Sequence, residues 1–137
     1  MRELKRIIFH CSATEDGKDY TVDQIRRWHT SPPRNWRDIG YHYVIYRDGS
    51  IHQGRPIDQQ GAHTRGENAD SVGICYIGGV RDGKATDTMT MHQEIAWLKL
   101  VHSLRTVFGP MTIHGHNEYA NKACPSFIVK EKYPFLL

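Results

Sequence analysis

No stretch of this sequence approaches the roughly 18 consecutive apolar residues that a membrane-spanning helix requires, so membrane insertion is not expected. Cysteine is scarce: Cys11, Cys75 and Cys124 are the only three, and none forms a CxxC pair. An odd count without paired spacing does not describe a disulfide framework. Charge of one sign is also weak. The formal net charge is +3 with nine histidines neutral, and the lysines and arginines are scattered. That distribution argues against a nucleic-acid partner and suits, at most, weak attraction to an anionic polymer. Repeats, low-complexity tracts and linkers are missing too. A chain of 137 residues without them is expected to be one domain, residues 1–137. The first residues, Met1-Arg2-Glu3-Leu4-Lys5-Arg6, are basic but are not followed by an apolar run of secretory-signal length. The expectation is a protein made in the cytoplasm with no export signal of its own.

Two helices and several strands are marked by local signals. Lys5 to Cys11 is short, apolar and β-branched, the pattern of a buried strand. Thr21-Val22-Asp23-Gln24 has the form of a capping box and opens a helix that runs through Trp28 and stops before Pro32-Pro33. Ile39 to Tyr46 reads as a strand, Asp48-Gly49 as a hairpin turn, and Ser50 to Gln53 as the returning partner. Gln59 to Asp70 is polar and rich in turn-formers, and is expected to be a long surface loop. Ser71 to Ile77 is another buried strand. Thr90-Met91-His92-Gln93 is a second capping box, and behind it Trp97, Leu100, Val101, Leu104, Val107 and Phe108 recur at helical spacing until Gly109-Pro110. Met111 to His114 is a short strand, and a last helical segment falls near Ile128 to Tyr133. The implied class is α/β: a single domain with a central mixed sheet and helices packed on its faces.

The chemistry-bearing residues collect at the ends of these strands. His10 ends the first, Tyr41 and His42 open the next aromatic element, and His114 and His116 end the strand after the long helix. Cys124 follows His116 by eight residues, within Lys122-Ala123-Cys124-Pro125-Ser126. Two imidazoles and a thiolate are donors that zinc prefers, and three protein ligands would leave a fourth position open. No compact motif such as HExxH is present, so spacing alone leaves His10 open to being a satisfied histidine at a strand end. It also leaves His114 as a rival to His116. Cys11 and Cys75 sit in apolar runs and read as inert buried thiols. The polar, Pro-flanked setting of Cys124 argues against deep burial.

Read together, Phe9-His10-Cys11-Ser12-Ala13-Thr14, Gly40-Tyr41-His42-Tyr43, Arg47-Asp48-Gly49, Ser71-Val72-Gly73-Ile74 and Lys122-Ala123-Cys124-Pro125-Ser126-Phe127 form an ordered set. The set resembles the amidase-type bacteriophage lysozymes, within the type-2 N-acetylmuramoyl-L-alanine amidases and peptidoglycan recognition proteins, from about His10 to Phe127. The resemblance implies a hydrolase that cuts the amide bond between N-acetylmuramic acid and L-alanine in peptidoglycan, with one zinc ion per chain. It puts the metal ligands at His10, His116 and Cys124, catalytic residues at Tyr41 and Lys122, and His63 on the wall of the substrate cleft. His114 is left as a supporting or core residue. The expected substrate is peptidoglycan or a muropeptide, and the expected unit a monomer. The cell wall would be reached by another release route, as for an endolysin, unless cytoplasmic muropeptides are the substrate.

Two rival readings remain at this level. A peptidoglycan-binding module without turnover would keep the cleft and lose the metal or the catalytic pair. A zinc-stabilised interaction domain would need a closed site of four protein ligands, of which only three are evident. Glu67 and Glu118 are the only acid pair that a glycosidase reading could call on.

Overall fold

The computed structural model describes residues 1–136. Strand β1 (Arg6–Cys11) lies inside the main sheet and runs parallel to both of its neighbours. A two-residue strand β2 (Thr14–Glu15) follows, then helix α1 (Val22–Thr30), strand β3 (Tyr43–Ile45) and strand β4 (Ile51–Gln53). Strand β5 (Ser71–Tyr76) leads into β6 (Gly79–Arg81) and β7 (Lys84–Ala85). Helix α2 (Met91–Phe108), strand β8 (Thr112–Gly115) and helix α3 (Val129–Lys132) follow, with short 3-10 helices at His116–Glu118 and Pro134–Leu136. The main sheet has five strands in the order β4-β3-β5-β1-β8. Only β4 is antiparallel, so the sheet is mixed as expected.

Both helix starts follow from their capping boxes. The Thr21 and Thr90 hydroxyls accept from the backbone N–H groups of Gln24 and Gln93, and each glutamine side chain returns the bond to the cap backbone. Helix α2 lies on one face of the sheet. Its Ala96, Trp97, Leu100, Val101 and Leu104 pack against Ile7, Phe9, Ile45, Val72, Ile74 and Ile113. Trp97 stacks on Phe9 with ring centroids 3.8 Å apart, and both are fully buried. Helix α1 covers the other face through Val22 and Ile25, which join Ile39, Val44 and Ile77 in a smaller cluster.

Four expectations change. The strand expected over Ile39 to Tyr46 is confined to Tyr43–Ile45. Before it the backbone is tied to loops: Ala62 N–H donates to Gly40 C=O and Arg55 N–H to Tyr41 C=O. Val107 and Phe108 do not join the core, since they are 71% and 37% exposed where α2 outruns the sheet. The segment from Gln59 to Asp70 is an irregular loop but only partly on the surface: Gln59, Gln60, Arg65, Gly66 and Ala69 are exposed, while Gly61, His63 and Thr64 turn inward and are buried. A second, three-stranded sheet in the order β2-β6-β7 was not expected at all.

Candidate metal centre

The carboxyl ends of β1 and β8 lie side by side, which brings His10 to the residues that follow Gly115. Strand β8 stops at Gly115, and His116–Glu118 turns into a 3-10 helix. This break separates the two rival histidines. His116 faces His10, with ring centroids 4.6 Å apart. His114 instead bonds Glu118 through Nδ1 at 3.0 Å and Thr112 through Nε2 at 2.7 Å. Asn117 N–H donates to the Cys124 carbonyl at 2.9 Å and folds the next loop back onto the strand ends.

His10, His116 and Cys124 each present one donor atom, all within 4.8 Å of one another, and they form the metal-capable cluster among the described residues. His10 Nδ1 is 3.7 Å from Cys124 Sγ. A tetrahedral zinc would hold one imidazole nitrogen and one thiolate sulfur about 3.6 Å apart. Donor type and the His10–Cys124 spacing therefore both fit zinc. The protonation states fit in part. Burial, reinforced by His63, His116 and Lys122, holds His10 well below the usual imidazole range. Burial and Lys122 lower His116 as well. Both imidazoles are therefore ready as neutral donors. The Cys124 thiol is pushed up by its hydrogen bond with Cys11 and by burial, so a metal must displace its proton.

The cluster sits between two cavities. The larger, about 670 Å³, is lined by Trp36, His63, Thr64, Arg65, Asn68 and Tyr119 among others. The smaller, about 240 Å³, is lined by Trp28, His29, Arg34, Tyr41 and Cys124 among others. His116 and Lys122 line both, so the cluster lies where the two cavities of the cleft adjoin. The charged residues along it (Arg34, Arg65 and Lys122) are all cationic, which favours an anionic ligand. Tyr41 lies with its ring centroid 5.1 Å from that of His10. Burial raises its phenol well above the ordinary value, so at neutral pH it is an O–H donor. Lys122 is exposed at the rim. Glu67 and Glu118 are both engaged elsewhere, in ion pairs with Arg6 at 2.7 Å and Lys130 at 2.9 Å respectively.

His63 is 8% exposed on the wall of the larger cavity, and its Nδ1 is 2.9 Å from His10 Nε2. Several supporting residues were not foreseen. His29 lies in the stripe of α1 with Val22 and Ile25, and its Nδ1 accepts from Gly40 N–H at 2.9 Å. Arg55 is 4% exposed and donates to the carbonyls of Ile39 at 2.9 Å and Gln60 at 2.8 Å. Together they fix the turn that presents Tyr41. A histidine within an apolar helical stripe was a readable signal for His29, whereas nothing local marked Arg55.

Comparison with known proteins points in the same direction. The sequence pattern of the N-acetylmuramoyl-L-alanine amidase family matches residues 1–127. The endolysin of Enterobacteria phage K11 is 39% identical over 127 residues, covering 92% of this chain and 83% of that protein. The endolysin of Escherichia phage T7 is 39% identical over 131 residues, covering 94% and 85%. Among solved structures, the N-acetylmuramoyl-L-alanine amidase LysC from Clostridium intestinale URNW superposes with a TM-score of 0.83 at 26% identity, covering 98% of this chain and 86% of that one.

Proposed function

The chain belongs to the N-acetylmuramoyl-L-alanine amidase family, and from that membership we propose that it hydrolyses the amide between N-acetylmuramic acid and L-alanine with a zinc ion held by His10, His116 and Cys124. The observation that carries the metal assignment is the convergence of these three donors, from separate strands and loops, within 4.8 Å at the junction of a cationic cleft. When bound, zinc supplies Lewis acidity, lowering the pKa of water at its open position to about 7 and polarising a carbonyl.

The chain's own groups supply the rest. The cleft holds the stem peptide, whose carboxylates suit Arg34 and Arg65, and His63 belongs to its wall. Amide hydrolysis develops negative charge on the carbonyl oxygen, and fixed donors aimed at that oxygen lower the barrier. Lys122 Nζ and the protonated Tyr41 hydroxyl are the donors that border the cluster. A glycosidase would need two free carboxyl groups facing each other across the cleft. Here Glu67 and Glu118 are spent in ion pairs with Arg6 and Lys130. The working unit is a monomer whose 137 residues act as one amidase domain on the bacterial cell wall or its soluble fragments. Among the described residues no helix is long and apolar enough to cross a membrane.

Metal analysis tests the zinc assignment. The purified protein should carry about one zinc per chain, and exhaustive chelation should abolish hydrolysis of muropeptides until zinc is returned. Full activity after the metal has been removed would overturn it.

A further inference from the structure

The buried surroundings of His10 contain a hydrogen-bond chain whose direction is fixed at its far end. The Ser71 hydroxyl lies 2.7 Å from the backbone carbonyl of Glu67. A carbonyl can only accept, so Ser71 spends its single hydrogen there. Toward His63 Nε2, 3.2 Å away, Ser71 Oγ must then be the acceptor, and His63 carries its hydrogen on Nε2. That leaves His63 Nδ1 with a bare lone pair, 2.9 Å from His10 Nε2. His10 therefore holds its proton on Nε2 and turns the Nδ1 lone pair toward Cys124 Sγ. Thr64 Oγ1, 3.0 Å from His63 Nδ1 and 3.3 Å from His10 Nε2, borders the same proton without reversing the order. No carboxylate belongs to this chain: the Glu67 and Asp70 side chains pair with Arg6 at 2.7 and 2.5 Å. Two neutral imidazoles are thus the form that burial permits.

The fold spends sequence on holding the His63 ring in place. A Cβ at position 73, in the middle of β5, would stand 2.5 Å from both Cγ and Cδ2 of His63. One at position 61 would stand 2.8 Å from Cδ2. Glycine weakens a strand interior, and at Gly73 it clears the space that the imidazole fills. Asn68 Oδ1 accepts from the backbone N–H of both His63 and Thr64, each at 3.0 Å, and fixes the turn. The Arg6 ion pairs tie down the segment whose carbonyl terminates the chain.

We propose that His63 is a positioning residue: with Ser71 and the Glu67 carbonyl it sets the tautomer and orientation of His10, so that Nδ1 is presented as a ready metal donor. The consequence for metal affinity rests on the assignment of His10 as a zinc ligand. The tautomer itself does not. Partners of this kind behind a ligating histidine are worth about 10- to 100-fold in metal affinity.

Two measurements on the 137-residue chain test the proposal. Long-range proton–nitrogen NMR of the metal-free protein should find His10 protonated on Nε2 in the wild type and distributed over both nitrogens in His63→Ala. A wild-type His10 protonated on Nδ1 would overturn the proposal. Zinc affinity, measured by competition with a chromophoric chelator, should fall about 10- to 100-fold in His63→Ala. His63→Asn should recover most of the loss, because its Oδ1 can take the acceptor position of Nδ1. Ser71→Ala should show a smaller loss in the same direction. Thermal unfolding of the metal-free variants shows which are folded, and if His63→Ala is not, His63→Asn and Ser71→Ala carry the test. Equal affinities for wild type and His63→Ala, or equal losses in His63→Ala and His63→Asn, would refute the positioning role. A wild type that binds no zinc would remove the metal assignment, and the tautomer measurement would still decide the hydrogen-bond chain.

Discussion

On the face of the main sheet that meets α2, β1 and β5 present Ile7, Phe9, Val72, Ile74 and Tyr76, all in the apolar core. At the intervening positions of the same strands stand His10, Ser71, Gly73 and Cys75, on the face turned toward His63 and Tyr41. Successive residues of a strand point to opposite faces, so a single segment such as Phe9-His10-Cys11 serves both sides. One face gains stability from area removed from water and from the Phe9–Trp97 stack. The other gives up apolar contact to hold polar groups in one protonation pattern, each satisfied by a neighbour. The two faces should therefore fail differently when perturbed.

The largest effect should come from the imidazole side. His10→Ala, His116→Ala and Cys124→Ala should each lose zinc and muropeptide hydrolysis together, while His114→Ala keeps both. Metal content and turnover measured on the same preparations would check this, and zinc loss in His114→Ala with retention in His116→Ala would reverse the ligand assignment. On the apolar side, Trp97→Ala should cost about 3–5 kcal/mol in denaturant unfolding, since it empties a fully buried site. Its folded fraction should still bind one zinc. A variant of normal stability, or one that is stable but metal-free, would show that the faces are not separable.

A smaller effect is expected beside the metal. Tyr41→Phe and Lys122→Ala should keep zinc but slow turnover roughly a hundredfold, the usual loss for one oxyanion donor. Near-normal rates in both would leave those side chains without a part in oxyanion stabilisation. The smallest effect is a pH dependence peculiar to the imidazole face. Burial holds His29 and His42 down to about 4, and His10 and His63 also lie well below the ordinary value. A histidine whose folded pKa lies below its unfolded value takes up a proton on unfolding, so these groups make stability fall as pH drops from about 6.5 toward 4. Thermal unfolding of the metal-free protein should follow that curve. Trp97→Ala should lower it throughout without changing its shape, and a flat profile would contradict the assignment of neutral buried imidazoles.

What could be read from the sequence was what local chemistry decides. The capping boxes at Thr21 and Thr90 need only residues three apart, and the apolar runs around Phe9 and Ile74 need only their own composition. The strands Thr14–Glu15 and Lys84–Ala85 exist because Gly79–Arg81 lies between them, a pairing that no local pattern reveals. The inward turn at His63 was hidden for the same reason. Its polar residues look solvated in sequence, yet they satisfy one another across distances such as His10 to His63. The proposed ligand set was legible mainly through the resemblance of several motifs taken together, because spacing alone left His114 beside His116. The end of β8 at Gly115, which parts them, is a feature of tertiary structure.

Everything proposed for the cleft turns on which bond is cut, and mass spectrometry of digested peptidoglycan reads that bond directly. A zinc amidase should produce new free L-alanine amino groups on intact stem peptides and no new reducing sugar ends, with both peptide release and amino-group formation lost on chelation. Reducing ends without new amino groups would contradict the amidase assignment, and would turn attention to Glu67 and Glu118.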